Sequence, residues 1–249
     1  MIIIKSPAEI RKMKAAGAVV AGALRQVRSL IAPGVRTADI DMVVKEFIVK
    51  SGAVPAFKGF KGFPASACVS VNEEVVHGIP GPRRLKDGDI VSVDVGAVLD
   101  GFVGDSSVTF TVGEVDDVTR RLIDVTRECL EKAIAACVPG GRLSDIGHAV
   151  QSHAEANGFS VVREYVGHGV GRSMHEDPQV PNFGPPGLGP LLRTGMTLAL
   201  EPMVNVGGHG VRLLQNRWTV VTQDGSLSAH FEHTVAITDS GPVVLTVEE

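Results

Sequence analysis

The stretch from Ile90 to Phe110, IVSVDVGAVLDGFVGDSSVTF, constrains the chain more than any other. Its first part is a run of Val, Ile and Leu such as a buried strand carries. Asp100-Gly101 is a strong hairpin signal, and the following SSVTFTV is rich in β-branched residues. With those two residues as the loop, Leu99 faces Phe102 and Gly96 faces Asp105. Asp94, two positions from Gly96, then shares a face with Asp105 on the diagonal, at about 7–8 Å or less. Two like charges on one apolar face are unfavourable unless a cation neutralises them. The ordinary alternative leaves both aspartates in water, one near a turn and one at a strand start. The pair alone does not decide between these.

A chain of 249 residues with 44% hydrophobic and 21% charged side chains fits one large domain or two fused halves around a substantial core. A net charge of −4 gives no reason to expect direct nucleic-acid binding, and the cluster Arg83-Arg84-Leu85-Lys86 reads as a solvated turn. Cys68, Cys129 and Cys137 are odd in number and form no CxxC pair, which fits reduced thiols in a cytoplasm. The apolar run in MIIIKSP is too short for a signal peptide or a membrane span. Ser6-Pro7-Ala8-Glu9 instead spells a capping box with Pro at the first helical position.

In chain order, a helix is expected from Pro7 to about Ile31 and a second, capped by Thr37, as far as Gly52. A Phe- and Gly-rich loop, AFKGFKGFP, precedes the strand ACVSV and the segment NEEVVHGIP. After the hairpin the pattern restarts. Asp116 or Asp117 caps a helix reaching about Cys137, and Ser144 caps another that stops near Asn157-Gly158. PGVRTADI (33–40) and PGGRLSDI (139–146) match at five of eight positions, at an offset of 106 (139 − 33). The recurrence of helix, turn, helix and strands points to an internal duplication, with halves of roughly 1–112 and 113–249 in one domain sharing one core. Shifted by 106, Asp94 lands at 200, beside Glu201 in TLALEPMV.

Other polar groups sit in apolar settings: His77 in VVHGIP, His168 in YVGHGVG, His175 in SMHEDP and Glu232 in HFEHTVAIT. Singly, each has a plain explanation. A His beside Gly is a turn residue or a satisfied core group, Glu201 before Pro202 ends a strand, and Glu232 faces water. GHGVGR lacks the third glycine of a dinucleotide loop and no helix follows it. Together, two Asp, two Glu and one His make a ligand set for two divalent ions. Carboxylates bridge such ions at about 3.5–4 Å, and a bound water falls in pKa from about 15.7 to roughly 7, which serves hydrolysis. His77 and His175 remain as donors to a substrate or transition state. Cys68 has no acid–base partner evident from spacing, so packing or pocket lining suits it better than nucleophilic attack.

At this point five motifs in order, GFPASACVSVNEEVVHGIP, DVGAVLDGFVGDSSVTF, GHGVGRSMHEDPQVPN, LALEPM and SAHFEHTVAIT, resemble the type I methionine aminopeptidases of the bacterial kind over nearly the whole chain. The resemblance implies an α+β pita-bread (creatinase/aminopeptidase-like) fold, two pseudo-symmetric halves with an antiparallel sheet backed by helices. It implies that Asp94 chelates one ion, that Asp105 and Glu232 bridge both, and that His168 and Glu201 complete the other. The ions would be Mn, Fe, Co or Zn. Glu201 would also relay the proton as general base, His175 would contact the scissile amide, and His77 would help position the substrate. Phe60, Phe63, Cys68, Met174 and Trp218 would line a site for the methionine side chain, where aromatic and polarizable groups suit a thioether. Without the resemblance, Phe60, Phe63 and Met174 read as ordinary core. The implied reaction removes the initiator methionine from a nascent chain when the next residue is small. A cytoplasmic monomer is expected, meeting its substrates at the ribosome.

There are departures. Many bacterial members carry His two residues before the second Asp, where this chain has Val103, and Thr two residues after the first Asp, where it has Gly96. A proline-specific peptidase of the same fold would share the five ligands but usually carries an extra N-terminal domain. A catalytically silent peptide-binding module would be expected to lose ligands.

Overall fold

A computed structural model describes residues 1–247. Four α-helices lie among them: α1 (Pro7–Leu30), α2 (Thr37–Lys50), α3 (Asp117–Ala136) and α4 (Leu143–Ala156). The Ser6 hydroxyl accepts the Glu9 N–H while the Glu9 carboxylate accepts the Ser6 N–H, so α1 starts on a reciprocal cap. Asp116 caps α3 by accepting the Thr119 N–H at 2.7 Å. Thr37 and Ser144 do not cap their helices. Arg36 and Arg142 occupy the cap positions, and Asp39 and Asp145 reach back to accept their N–H groups at 3.1 and 2.8 Å. The two hydroxyls are engaged by distant chain instead: Thr37 gives its proton to the Gly81 carbonyl, and Ser144 accepts the Leu188 N–H.

The helices back a nine-stranded sheet in which every pairing is antiparallel. Its main path runs through strands Val54–Pro55, Ile90–Leu99, Phe102–Thr111, Glu232–Thr238, Thr197–Leu200, Gly167–Gly169 and Glu176–Val180. Ala67–Val71 adds to the second of these and Gly241–Val244 to the fourth. Asp100 and Gly101 both take positive φ, 49° and 77°, as a two-residue hairpin loop requires. That turn sets the register of Gly96 opposite Asp105 and Asp94 opposite Ser107.

Two apolar layers back the sheet. One joins Val20, Val27, Ile40 and Val44 of α1 and α2 to Val69, Val91 and Val93; the other joins Leu122, Leu130, Ile146 and Val150 of α3 and α4 to Leu198 and Val235. Val108 touches both. The sheet and α1 meet backbone to backbone where Gly104 faces Gly17: a Cβ on Gly104 would lie 2.6 Å from Gly17 N and 2.7 Å from Ala16 C. Both obstacles are main chain, so helix and sheet would have to separate. Gly104→Ala is therefore expected to destabilise the protein by about 1–3 kcal/mol; an unchanged urea midpoint would contradict this packing.

Candidate active site

Five consecutive strands of the sheet each present one candidate ligand to the same face. Asp94 lies on the 90–99 strand, Asp105 on 102–111, Glu232 at the start of 232–238, Glu201 directly after 197–200, and His168 at the centre of 167–169. Asp94, Ser107 and Glu232 stand in one row across three strands. The pairing of His233 with Leu200 carries that row on to Glu201. Two residues along, and so on the same face, a second row holds Gly96, Asp105, Ala199 and His168. Thr234 fills the gap in that row, its hydroxyl donating to the Asp105 carbonyl at 2.9 Å.

The result is a cluster of acids in a largely dry cup. Asp105 is 3% exposed and Glu232 2%. His168 Nε2 lies 3.8 Å from Asp105 Oδ2 and 3.6 Å from Glu201 Oε1, too far for hydrogen bonds. Asp94 Oδ1 and Asp105 Oδ1 are buried with no partner among the described residues. Burial pushes the Asp94 carboxyl well above the usual carboxylate range, with Asp105 adding to it. It lifts Asp105 to about 7. Glu201 and Glu232 are likewise raised well above their ordinary value by burial first and then by their acidic neighbours.

These residues fit divalent cations. Ligand atoms of Asp105, His168 and Glu232 all lie within 4.8 Å of one another. The His168 Nδ1 faces its Gly169 carbonyl at 2.9 Å, which holds the proton on Nδ1 and leaves the Nε2 lone pair turned toward the carboxylates. Burial, with His175 nearby, lowers His168 to about 4, so it is neutral at pH 7 as a ligand must be. Orphaned acid oxygens around a neutral imidazole are stabilised by positive charge at their centre.

The cup opens into a cavity of about 200 Å³ lined by Phe57, Phe60, Phe63, Cys68, Met174 and Trp218, with His77 and His175 at its polar side. Phe63 and Trp218 meet edge to face at 5.0 Å. His175 sits at the mouth, its ring 4.2 Å from that of His168 and 5.4 Å from that of Phe60. His77 takes a positive φ of 59° and is held edge-on by Tyr165 at 5.7 Å. Burial lowers His77 to about 4 and His175 below its usual value, so both rings are neutral hydrogen-bond partners at pH 7. Burial, then Asp94, Asp105 and Glu232, pushes the Cys68 thiol far up; it stays protonated. The twelve residues singled out in the sequence thus surround one cavity.

Sequence reasoning missed Phe57, which belongs to the same Phe-rich loop as Phe60 and Phe63 and was the one signal available for it. It also missed His230, whose Nε2, without a hydrogen-bond partner among the described residues, lies 3.9 Å from Glu201 Oε2. Gly96 makes room for Phe57: a Cβ there would lie 2.7 Å from Phe57 Cε1 and 2.8 Å from Met174 Cε. Val103 is buried, and its N–H donates to the Gly171 carbonyl at 2.8 Å.

Residues 11–239 match the profile of metallopeptidase family M24. Methionine aminopeptidase 1 of Bacillus subtilis is 54% identical over 246 residues, covering 99% of each chain. The methionine aminopeptidase of Clostridium acetobutylicum is 54% identical over 250 residues and covers both chains fully. Among solved structures, the methionine aminopeptidase of Thermotoga maritima superposes with a TM-score of 0.98 at 55% identity, again over the whole of both chains. The prolidase of Pyrococcus furiosus shares the fold, with a TM-score of 0.81 at 23% identity over 99% of this chain and 66% of its own. The architecture is the pita-bread fold that the motifs implied.

Proposed function

Because this chain belongs to metallopeptidase family M24, we propose that it removes the initiator methionine from protein N-termini by metal-dependent hydrolysis when the second residue is small. The observation that carries this reading is one cavity in which an acid cluster suited to two cations adjoins an apolar pocket of aromatic, thiol and thioether groups. Asp94, Asp105, His168, Glu201 and Glu232 would hold the ions. When bound, the pair supplies Lewis acidity and acidifies the attacking water from a pKa of about 15.7 toward 7.

The chain's own groups do the rest. The Glu201 carboxylate takes a proton from the attacking water and passes it to the leaving amine, as C–O forms and C–N breaks. Neutral His175 donates N–H to the scissile carbonyl oxygen as negative charge develops there. His77, braced by Tyr165, steadies the substrate backbone beside it. Phe60, Phe63, Cys68, Met174 and Trp218 take the methionine side chain. In this reading the enzyme works in the cytoplasm as a monomer on chains leaving the ribosome. No described helix is long and apolar enough to cross a membrane. The halves, about 1–112 and 113–249, are one catalytic domain built from a duplicated unit. Supporting that, Arg36–Asp39 and Arg142–Asp145 start α2 and α4 in the same way at an offset of 106.

Metal-stripped enzyme given back Mn, Co or Fe should release Met from Met-Ala-Ser but not from Met-Leu-Ser. Cleavage of an Ala-Pro peptide alone would move the activity to the proline-specific relatives. Tight metal binding without cleavage would mark a silent binding module.

The pocket also yields a specificity prediction. Gly96→Thr drives Phe57 and Met174 toward the space for the substrate side chain. An added group of that size in an apolar pocket is expected to lower kcat/KM for Met-Ala-Ser by about 10–200-fold, mainly through KM. An unchanged KM in steady-state assays would show that the pocket relaxes around the threonine side chain.

A further inference from the structure

The N-terminal arm reaches the back of the loop that carries His175. Lys5 has a side chain only 3% exposed, and its Nζ meets Glu176 Oε2, itself 6% exposed, at 2.5 Å. The other oxygen of that carboxylate accepts the backbone N–H groups of Arg172 at 2.9 Å and Ser173 at 3.2 Å. Gly171 closes the same turn, its N–H donating to the Ser173 carbonyl at 3.1 Å. A Cβ on Gly171 would lie 2.6 Å from both Lys5 Cε and Glu176 Oε1, so a residue without one lets the ammonium and carboxylate meet there. The arm is anchored in turn: the Lys5 N–H donates to the Gly195 carbonyl at 2.7 Å, and Nζ also reaches the Ile3 carbonyl at 3.1 Å. Gly195 leads into the strand Thr197–Leu200, directly before Glu201.

Glu176 turns to the arm, and His175 turns to the cup, its ring 4.2 Å from that of His168. Charge-assisted bonds from three donors fix the Glu176 carboxylate, and through it the path from Arg172 to His175. An ammonium taken from this dry site would leave that carboxylate buried and unbalanced.

We propose that Lys5 is a positioning residue for peptide hydrolysis: through Glu176 it fixes the 171–175 loop and so aims His175 at the scissile carbonyl. This rests on the aminopeptidase reading above. Lys5→Met should lower kcat on Met-Ala-Ser tenfold or more with KM within threefold, and Lys5→Arg should keep at least a third of kcat. In Glu176→Gln enzyme the amide oxygen still caps the loop, and once Lys5→Met is added no charge is left orphaned there. There, Lys5→Met should change kcat less than threefold. In metal-free protein the ring NMR signals of His175 should move in Lys5→Met and return in the double variant, which holds whatever the enzyme cleaves. Wild-type kcat in Lys5→Met, or an equal loss in both backgrounds, would overturn the proposal. So would a double variant tenfold slower than Glu176→Gln alone, should Lys5→Met not fold. Wild-type enzyme that released no Met would sink the aminopeptidase reading, and the His175 signals would still decide the arm.

Discussion

Glu201→Gln is expected to lower kcat for Met-Ala-Ser by about 10²–10⁴-fold at saturating divalent ion, with far less change in KM. The carboxylate is 14% exposed, lies 3.6 Å from His168 Nε2, and closes the row that begins at Asp94. In the metal-free cup, burial, then Asp105 and Asp94, raises its pKa well above the usual glutamate value. Glutamine keeps the shape and one coordinating oxygen but cannot carry the proton from water to the leaving amine. Steady-state kinetics on metal-saturated enzyme test this. A loss smaller than tenfold would transfer the base to Glu232.

The metal-free protein should lose stability as pH rises from about 6.5 through 7. Asp105 goes from an ordinary 3.8 to about 7 on folding. Between those values the folded chain keeps a proton that the unfolded chain has released, so stability falls with rising pH. The contribution is whole below 3.8 and gone above 7, and its size is of order 4 kcal/mol. Asp94, Glu201 and Glu232, raised well above their ordinary values, act with the same sign. The buried histidines oppose them. Burial lowers His77, His168 and His233 to about 4 and His230 to about 3, so stability gained from them rises with pH and is complete near 6.5. Above that pH these histidines no longer offset the acid cluster. Melting curves in chelator should show it, and added Mn should remove it. Asp105→Asn should raise the chelated Tm at pH 8, since it deletes a charge from a dry cluster. A Tm that stays flat as pH rises from 6.5 through 7 would contradict this account of the cup.

The hairpin was readable because a two-residue Asp-Gly loop leaves one register, and register decides which side chains share a face. The order of the other strands was not. Glu232 pairs beside Asp105 across about 126 residues of intervening chain, and no local pattern announces that Thr197–Leu200 lies next to it. Glu201 follows a strand that stops at Leu200; with Pro202 next it looked like a simple end, and the carboxylate instead stands in the first row. The misplaced caps have a physical cause. Thr37 and Ser144 have the right chemistry for capping, but Gly81 and Leu188 claim their hydroxyls through contacts formed only in the folded chain. The Lys5–Glu176 pair was equally hidden, since nothing near Lys5 in the chain marks a lysine destined for burial. The motifs named the groups that gather around one cavity, and the long-range packing decided what holds them.

The most direct test of the central claim is anomalous X-ray scattering from crystals grown with manganese. Two peaks are expected in the cup, one within bonding distance of Asp94 and one of His168 and Glu201, with Asp105 and Glu232 touching both. Peaks elsewhere, or none among these five side chains, would contradict the account.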